Sequence, residues 1–321
     1  MKVIFWGCRG SLPTPLNARE VRRKVLEGVR AAARAGLADE SGAEALLEGL
    51  PFAVAGTYGG NTSCVQVEGG AEYLVLDAGT GLRDLGNHLL QEGRLRAPAV
   101  FHLLLSHLHW DHLQGFPFFA PAYIPHCRIH VHGCHPGLEE ALRSQQAEPH
   151  FPVPFDFFPA GIDFQTLEPG GEYQVGGFLV RPFVQNHPQD SFGYRLEREG
   201  KVVVYATDAE HDMARPDWLA RATRDFEGAD LLIFDAQYTF RETLENKVNW
   251  GHSSNLMAVE MANQAGVDHL CLFHHEPTYG DLQLERIHQD TMRFAKAFAQ
   301  MNQAPHPRLV SMAYDGLEVE V

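Results

Sequence analysis

The stretch Ser106-His107-Leu108-His109-Trp110-Asp111-His112 follows an apolar run from Val100 to Leu105, and its reading decides the fold. The run reads as a buried strand. Immediately behind it come four side chains of metal-binding type. In an extended segment, residues two apart point the same way, so His107 and His109 can share one metal ion. The chain then turns, and Asp111 and His112 face a second position. Neutral imidazole with carboxylate suits zinc, and also manganese or iron. The competing reading is a solvated, histidine-rich loop. Ligand order beside a carboxylate argues against it, because scattered surface histidines do not fall into such order.

Working outward, Leu74 to Asp77 reads as a buried strand ending in the turn Ala78-Gly79-Thr80-Gly81. Asp77 can cap backbone amides or orient a metal-binding histidine, and this supporting role is favoured over direct ligation. Phe178 to Val184 is a strand that delivers His187. Lys201 to Ala206 ends at Thr207-Asp208, Leu231 to Phe234 at Asp235, and Leu270 to Phe273 at His274-His275. Side chains at strand ends converge on one edge of a sheet, which is how residues distant in sequence build one site. Gly251-His252-Ser253-Ser254 caps a helix through Ala265. His130-Val131-His132 is a second His-x-His, but no Asp-His follows it, so it reads as one face of a strand.

Two further segments carry expectations. Helices over Asn17 to Gly36 and Ser41 to Leu50 form an insertion at about 17–50, with Val21, Val25, Val29 and Ala32 as an apolar stripe expected to pack on the parent domain. Residues 148–159 are aromatic and proline-rich, which excludes regular helix and leaves a pocket mouth or a packed connector. No linker interrupts 1–321, so a single domain is expected.

Composition narrows the function. The 321 residues are 45% hydrophobic and 21% charged, an ordinary globular balance. A formal net charge of -15 disfavours a binder of long nucleic acid, yet permits a small anionic substrate where metal charge dominates locally. Five scattered cysteines without a Cys-x-x-Cys pair point to a reducing cytoplasm rather than a disulfide framework. Met1 to Trp6 is a strand pattern, not a signal peptide, and no apolar run reaches membrane-spanning length, so no membrane partner is expected.

With these residues in order, the chain resembles the metallo-β-lactamase superfamily. The resemblance rests on Asp77-Ala78-Gly79, the segment from His107 to His112, His187, Asp208 and His274, and covers all but the helices at about 17–50. It implies an α/β fold, an αββα four-layer sandwich. It implies two divalent metal ions, zinc first. One would be held by His107, His109 and His187, the other by Asp111, His112 and His274, with Asp208 bridging. A homodimer is also implied by the resemblance. Within the superfamily the chain is most similar to the ribonuclease Z and phosphodiesterase branch, through Ser191-Phe192-Gly193-Tyr194-Arg195, Asp235-Ala236-Gln237-Tyr238 and Gly251-His252-Ser253-Ser254. Asp235 stands where that branch has a longer acid, and its basic tRNA-gripping arm is not apparent.

The resulting expectation is a phosphodiesterase acting on a small phosphodiester or cyclic nucleotide by attack of a metal-bridging hydroxide. Asp111 would hold the hydroxide, and His252, oriented by Asp235, would protonate the leaving oxygen. The alternatives are a thioesterase or lactonase of the glyoxalase II kind, a tRNA-processing-like nuclease, and a metal-stabilised binding protein without turnover. Arg9, Asn61, Tyr279 and His275 are further candidates for substrate contact.

Overall fold

The structure is a computed structural model and describes residues 1–37, 39–212 and 214–321. Two seven-stranded mixed sheets pack face to face. The first runs in the order β14-β1-β2-β3-β4-β5-β6, with β1 Lys2–Gly7, β2 Cys64–Glu68, β3 Tyr73–Leu76, β4 Ala99–Leu105, β5 Cys127–Gly133, β6 Gly161–Thr166 and β14 Glu318–Glu320. The second runs β13-β12-β11-β10-β9-β8-β7, with β7 Tyr173–Val175, β8 Phe178–Gln185, β9 Ser191–Arg198, β10 Lys201–Ala206, β11 Leu231–Asp235, β12 His269–Phe273 and β13 Leu309–Met312. Strands β3 to β6 are parallel, as are β10 to β13.

Alternation along each strand divides the core into layers. Leu74 and Leu76 of β3 point between the sheets, towards Tyr194, Val203, Tyr205 and Ile233. Val75 points outward and packs with Leu82, Leu85 and Leu89. On the second sheet Val204, Leu232, Phe234 and Leu272 face outward onto Ala258, Met261 and Ala262. Strands covered on both faces read as continuous apolar runs, which is why the central ones are legible in the sequence. Strands β6, β7 and β14 were not anticipated. They are edge strands, two of them three residues long, and β6 is largely exposed and polar. Such edges lack the pattern that burial imposes.

The helices are α1 Ala18–Ala35, α2 Ala43–Glu48, α3 Phe52–Ala55, α4 Gly81–Gln91, α5 Leu138–Gln145, α6 Pro216–Phe226, α7 Phe240–Glu245, α8 Asn255–Gln264 and α9 Asp281–Asn302. Among the described residues no helix is long and apolar enough to cross a membrane. Helix α1 starts on a capping box: Asn17 accepts from the Glu20 amide at 3.1 Å, and Glu20 accepts from the Asn17 amide at 3.0 Å. Its valine stripe corrects the expectation above, for Val21, Val25 and Val29 are 46%, 60% and 60% exposed. A neighbouring face, at Lys24, attaches the helix instead. Lys24 Nζ lies 2.5 Å from the buried Asp281 carboxylate and donates to the Ala53 and Gly56 carbonyls at 2.6 Å. The segment 148–159 is a packed connector, with Phe155 and Phe158 against Phe116.

The second His-x-His lies apart from the first. His130 and His132 stack on His102 of β4, with ring centres 5.1 and 5.3 Å away. His102 donates from Nε2 to Glu72 at 2.7 Å, and its Nδ1 meets His132 Nε2 at 3.0 Å. Burial, reinforced by His102 and His130, pushes the His132 pKa down to about 4. A histidine held below its unfolded value resists charging in the folded state. Its contribution is therefore complete above the ordinary histidine range and is lost as pH falls through it towards 4. In urea titrations of metal-free protein, wild type should lose about 2 kcal/mol more than His132→Gln between neutral pH and pH of about 4.5. Equal losses would show that His132 does not titrate in this way.

Candidate metal centre

The parallel strands place their carboxyl ends on one edge of the sandwich, and the loops leaving that edge carry the candidate residues. His107 follows β4, His187 follows β8, Asp208 follows β10, Asp235 ends β11 and His274 follows β12. Three residues just past strand ends, Asp77, Asp208 and His274, adopt positive φ of 61°, 51° and 61°. A left-handed backbone costs a residue with a Cβ about 1–2 kcal/mol. Here it turns the side chain off the sheet and into the centre, and such strain concentrates at functional sites.

All seven metal-ligand candidates come together. Asp208 Oδ1 lies 3.3 Å from His112 Nε2 and 3.2 Å from His274 Nε2. Its other oxygen, Oδ2, lies 3.7 Å from His107 Nε2 and 3.8 Å from His187 Nε2. Asp111 Oδ2 lies 3.2 Å from His112 Nε2 and 3.3 Å from His274 Nε2. His109 Nδ1 is 3.3 Å from His187 Nε2. The donor atoms of His107, His109 and His187 form one close group and those of Asp111, His112 and His274 another, with Asp208 between them.

The donor set fits divalent cations. His107 Nε2 and His112 Nε2 are buried without a hydrogen-bond partner, and an orphaned buried nitrogen costs about 1–3 kcal/mol unless something coordinates it. Proton sharing is uneven without metal. Burial, then His112, hold the His107 pKa well below its usual value. Burial opposes charge on His112 as well, but Asp208, Asp111 and Asp77 overcome it and raise the pKa. Asp208 stays well below the usual carboxylate range because His274, His112 and His107 outweigh its burial.

A second layer fixes the first. Asp77 Oδ2 accepts from His112 Nδ1 at 2.7 Å, from the Tyr205 hydroxyl at 2.7 Å and from the Ser106 hydroxyl at 2.8 Å. Its Oδ1 accepts from the Ser106 amide at 2.7 Å. Asp77 therefore orients His112 and does not itself join either group. Gln237 accepts from His274 Nδ1 at 3.1 Å. The Ser11 amide donates to Asp111 Oδ2 at 2.7 Å. Gly10 allows that loop to close on the centre, since a Cβ there would lie 2.6 Å from the His274 ring.

His252 and Asp235 adjoin the two groups: a donor atom of His252 also clusters with those of His187 and Asp208, and with those of Asp235 and His274. Asp235 Oδ2 accepts from His252 Nδ1 at 2.8 Å and from the Ala209 amide at 3.0 Å, while Oδ1 accepts from the Gln237 amide at 3.1 Å. His252 therefore presents only Nε2. Its ring lies 5.1 Å from both His187 and His274. Burial lowers its pKa, but Asp235, with Asp208 and Asp111, more than compensates and raises it.

Four suggested substrate contacts are corrected. Arg9 is buried and donates to the carbonyls of Gly59 at 2.9 Å and Tyr279 at 2.8 Å. Asn61 donates to Asp84 at 2.7 Å, His275 to the Ala313 carbonyl at 2.8 Å, and the Tyr279 hydroxyl to Glu242. All four hold loops together. Sequence reasoning missed Ser11, Gln237 and Tyr205. Only Tyr205 left a signal, a hydroxyl at the end of an apolar strand that needs a buried partner.

Known proteins resemble this chain in sequence and fold. The family model described as a beta-lactamase superfamily domain matches residues 72–275, and the chain belongs to this family, near its ribonuclease Z branch. A ribonuclease Z of Brevibacillus brevis is 37% identical over 269 residues, covering 67% of this chain and 80% of the relative. The metallo-beta-lactamase fold protein YhfI of Bacillus subtilis superposes with a TM-score of 0.63 at 19% identity, covering 100% of this chain and 98% of that one. Zn(2+)-bound PqqB of Methylobacterium extorquens superposes with a TM-score of 0.61 at 16% identity, covering 100% of both chains.

Asp77→Asn keeps the side chain's volume and removes one charged acceptor. It should weaken divalent-metal binding about 10–100-fold, read by competition with a coloured chelator. Unchanged affinity would remove Asp77 from the support of His112.

Proposed function

We propose that this protein is a dinuclear metal-dependent phosphodiesterase acting on a small anionic diester. The observation that carries the reading is the Asp235–His252 pair, 2.8 Å apart, set against two donor groups that share Asp208. His107, His109, His187 and Asp208 Oδ2 would hold one cation, and Asp111, His112, His274 and Asp208 Oδ1 the other. Zinc is the metal proposed, because three imidazoles with a carboxylate oxygen suit it and the structural relative PqqB binds zinc. When bound, two such cations lower the pKa of a water and neutralise charge on phosphoryl oxygens.

The chain's own residues supply the remainder. Asp208 fixes the separation of the two groups. Asp77 and Gln237 fix the rings of His112 and His274. His252, with Nδ1 committed to Asp235, delivers a proton from Nε2 to the departing oxygen. Asp235 holds this orientation and balances the imidazolium charge. A second reading, processing of RNA, is favoured by the relative named ribonuclease Z.

His252→Ala should lower kcat towards diesters about 10²–10⁴-fold while metal content stays unchanged. An undiminished kcat would exclude His252 from proton transfer. Metal-loaded protein offered bis(p-nitrophenyl) phosphate, cyclic nucleotides, a precursor transfer RNA, S-lactoylglutathione and lactones should turn over the small diesters. Exclusive turnover of the thioester or lactones would overturn the proposal, and exclusive turnover of the transfer RNA would favour the second reading.

A further inference from the structure

We infer that the leaving half of the substrate is an uncharged, apolar alcohol seated in a recess that shares His252 with the metal centre. This rests on the phosphodiester reading above and names the substrate class more narrowly. The recess holds about 210 Å³. His252 forms part of its wall, with Phe240 and Leu244 of α7, Val248 of the following loop and Met257 of α8. Phe240, Leu244 and Val248 are 39%, 65% and 54% exposed. Single exposed apolar residues need no explanation. Three in one short segment, bordering the same recess as the proton donor, form a surface that folding alone does not require.

The chemistry sets the occupant. A general acid must reach the leaving oxygen within hydrogen-bond distance. His252 has only Nε2 free for this, because Nδ1 donates to Asp235. The leaving oxygen must then sit beside His252, and its substituent extends into the space that His252 borders. Water attack at phosphorus forms one P–O bond, and the P–O bond to the alcohol breaks. The electron pair stays on the leaving oxygen, which takes the proton from Nε2. The proton that the attacking water gives up restores His252.

Charge excludes an anionic leaving group. Glu210 and Asp212 also line the recess. Glu210 accepts from the Asn249 and Gly251 amides at 2.8 and 2.9 Å, and Asp212 from the Ala214 amide at 2.8 Å, as carboxylates do. The two cations of the segment 240–250 are engaged elsewhere: Arg241 pairs with Glu245 at 2.8 Å, and Lys247 lies 3.7 Å from the centre of the Trp250 ring. A cavity of about 150 Å³ takes up one benzene ring. This recess therefore suits one aryl ring with a short substituent.

Two diesters test the inference, methyl para-ethylphenyl phosphate and methyl para-(carboxymethyl)phenyl phosphate. Their phenols are of similar acidity and differ in charge. Metal-loaded wild type should favour the ethyl compound about tenfold in kcat/KM. Leu244→Arg, at an exposed position, should abolish or reverse that preference. Para-ethylphenol alone should bind wild type in saturation-transfer NMR and lose signal with Leu244→Arg. Equal kcat/KM for both diesters in wild type, or an unchanged ratio in Leu244→Arg, would overturn the inference and leave the diester reading standing. Turnover of neither diester while bis(p-nitrophenyl) phosphate or a cyclic nucleotide is still hydrolysed would overturn the inference alone, and loss of all diester turnover would overturn both.

Discussion

The structure turns on how one carboxylate is shared. Asp208 directs one oxygen at His112 and His274 and the other at His107 and His187. Burying a carboxylate among imidazoles costs several kcal/mol unless compensating charge is present. Without cations, the centre compensates by uneven protonation, with His112 favouring its charged form and His107 its neutral one. Two divalent ions would meet the same demand and satisfy both orphaned nitrogens. The fold spends strained backbone at Asp77, Asp208 and His274 to hold this arrangement.

Rigidity around the centre follows from the layers behind it. Asp77 gathers His112, Ser106 and Tyr205 and so ties both sheets to one ring of the centre. The loop after β1 closes the other side, with Gly10 against His274 and Ser11 on Asp111. Elements that look unrelated in sequence are thus fixed by the same few polar atoms. The more exposed apolar segment over α7 lies outside this framework and is free to serve recognition.

Much of this was legible beforehand because it depends on local pattern. Covered strands read as apolar runs, and His107, His187, Asp208 and His274 each sit one or two residues beyond a strand's end. The role of Asp77 followed from the same logic. What escaped was set by tertiary contact. Ser11 acts through its amide, which no side-chain pattern reveals, and Gln237 acts through a partner 37 residues away. Arg9 and Asn61 resembled ligand-binding groups but serve loop carbonyls and a buried acid. The valine stripe of α1 misled because periodicity locates a face without saying what covers it. Here Lys24 and its partner Asp281 fix the helix from the polar side.

The proposed centre requires Asp208 to bridge two cations. Anomalous diffraction from crystals soaked in zinc tests it directly. Two peaks about 3.5–4 Å apart, each nearest a different oxygen of Asp208, are expected. A single peak, or two peaks with Asp208 bound to neither or to only one, would contradict it.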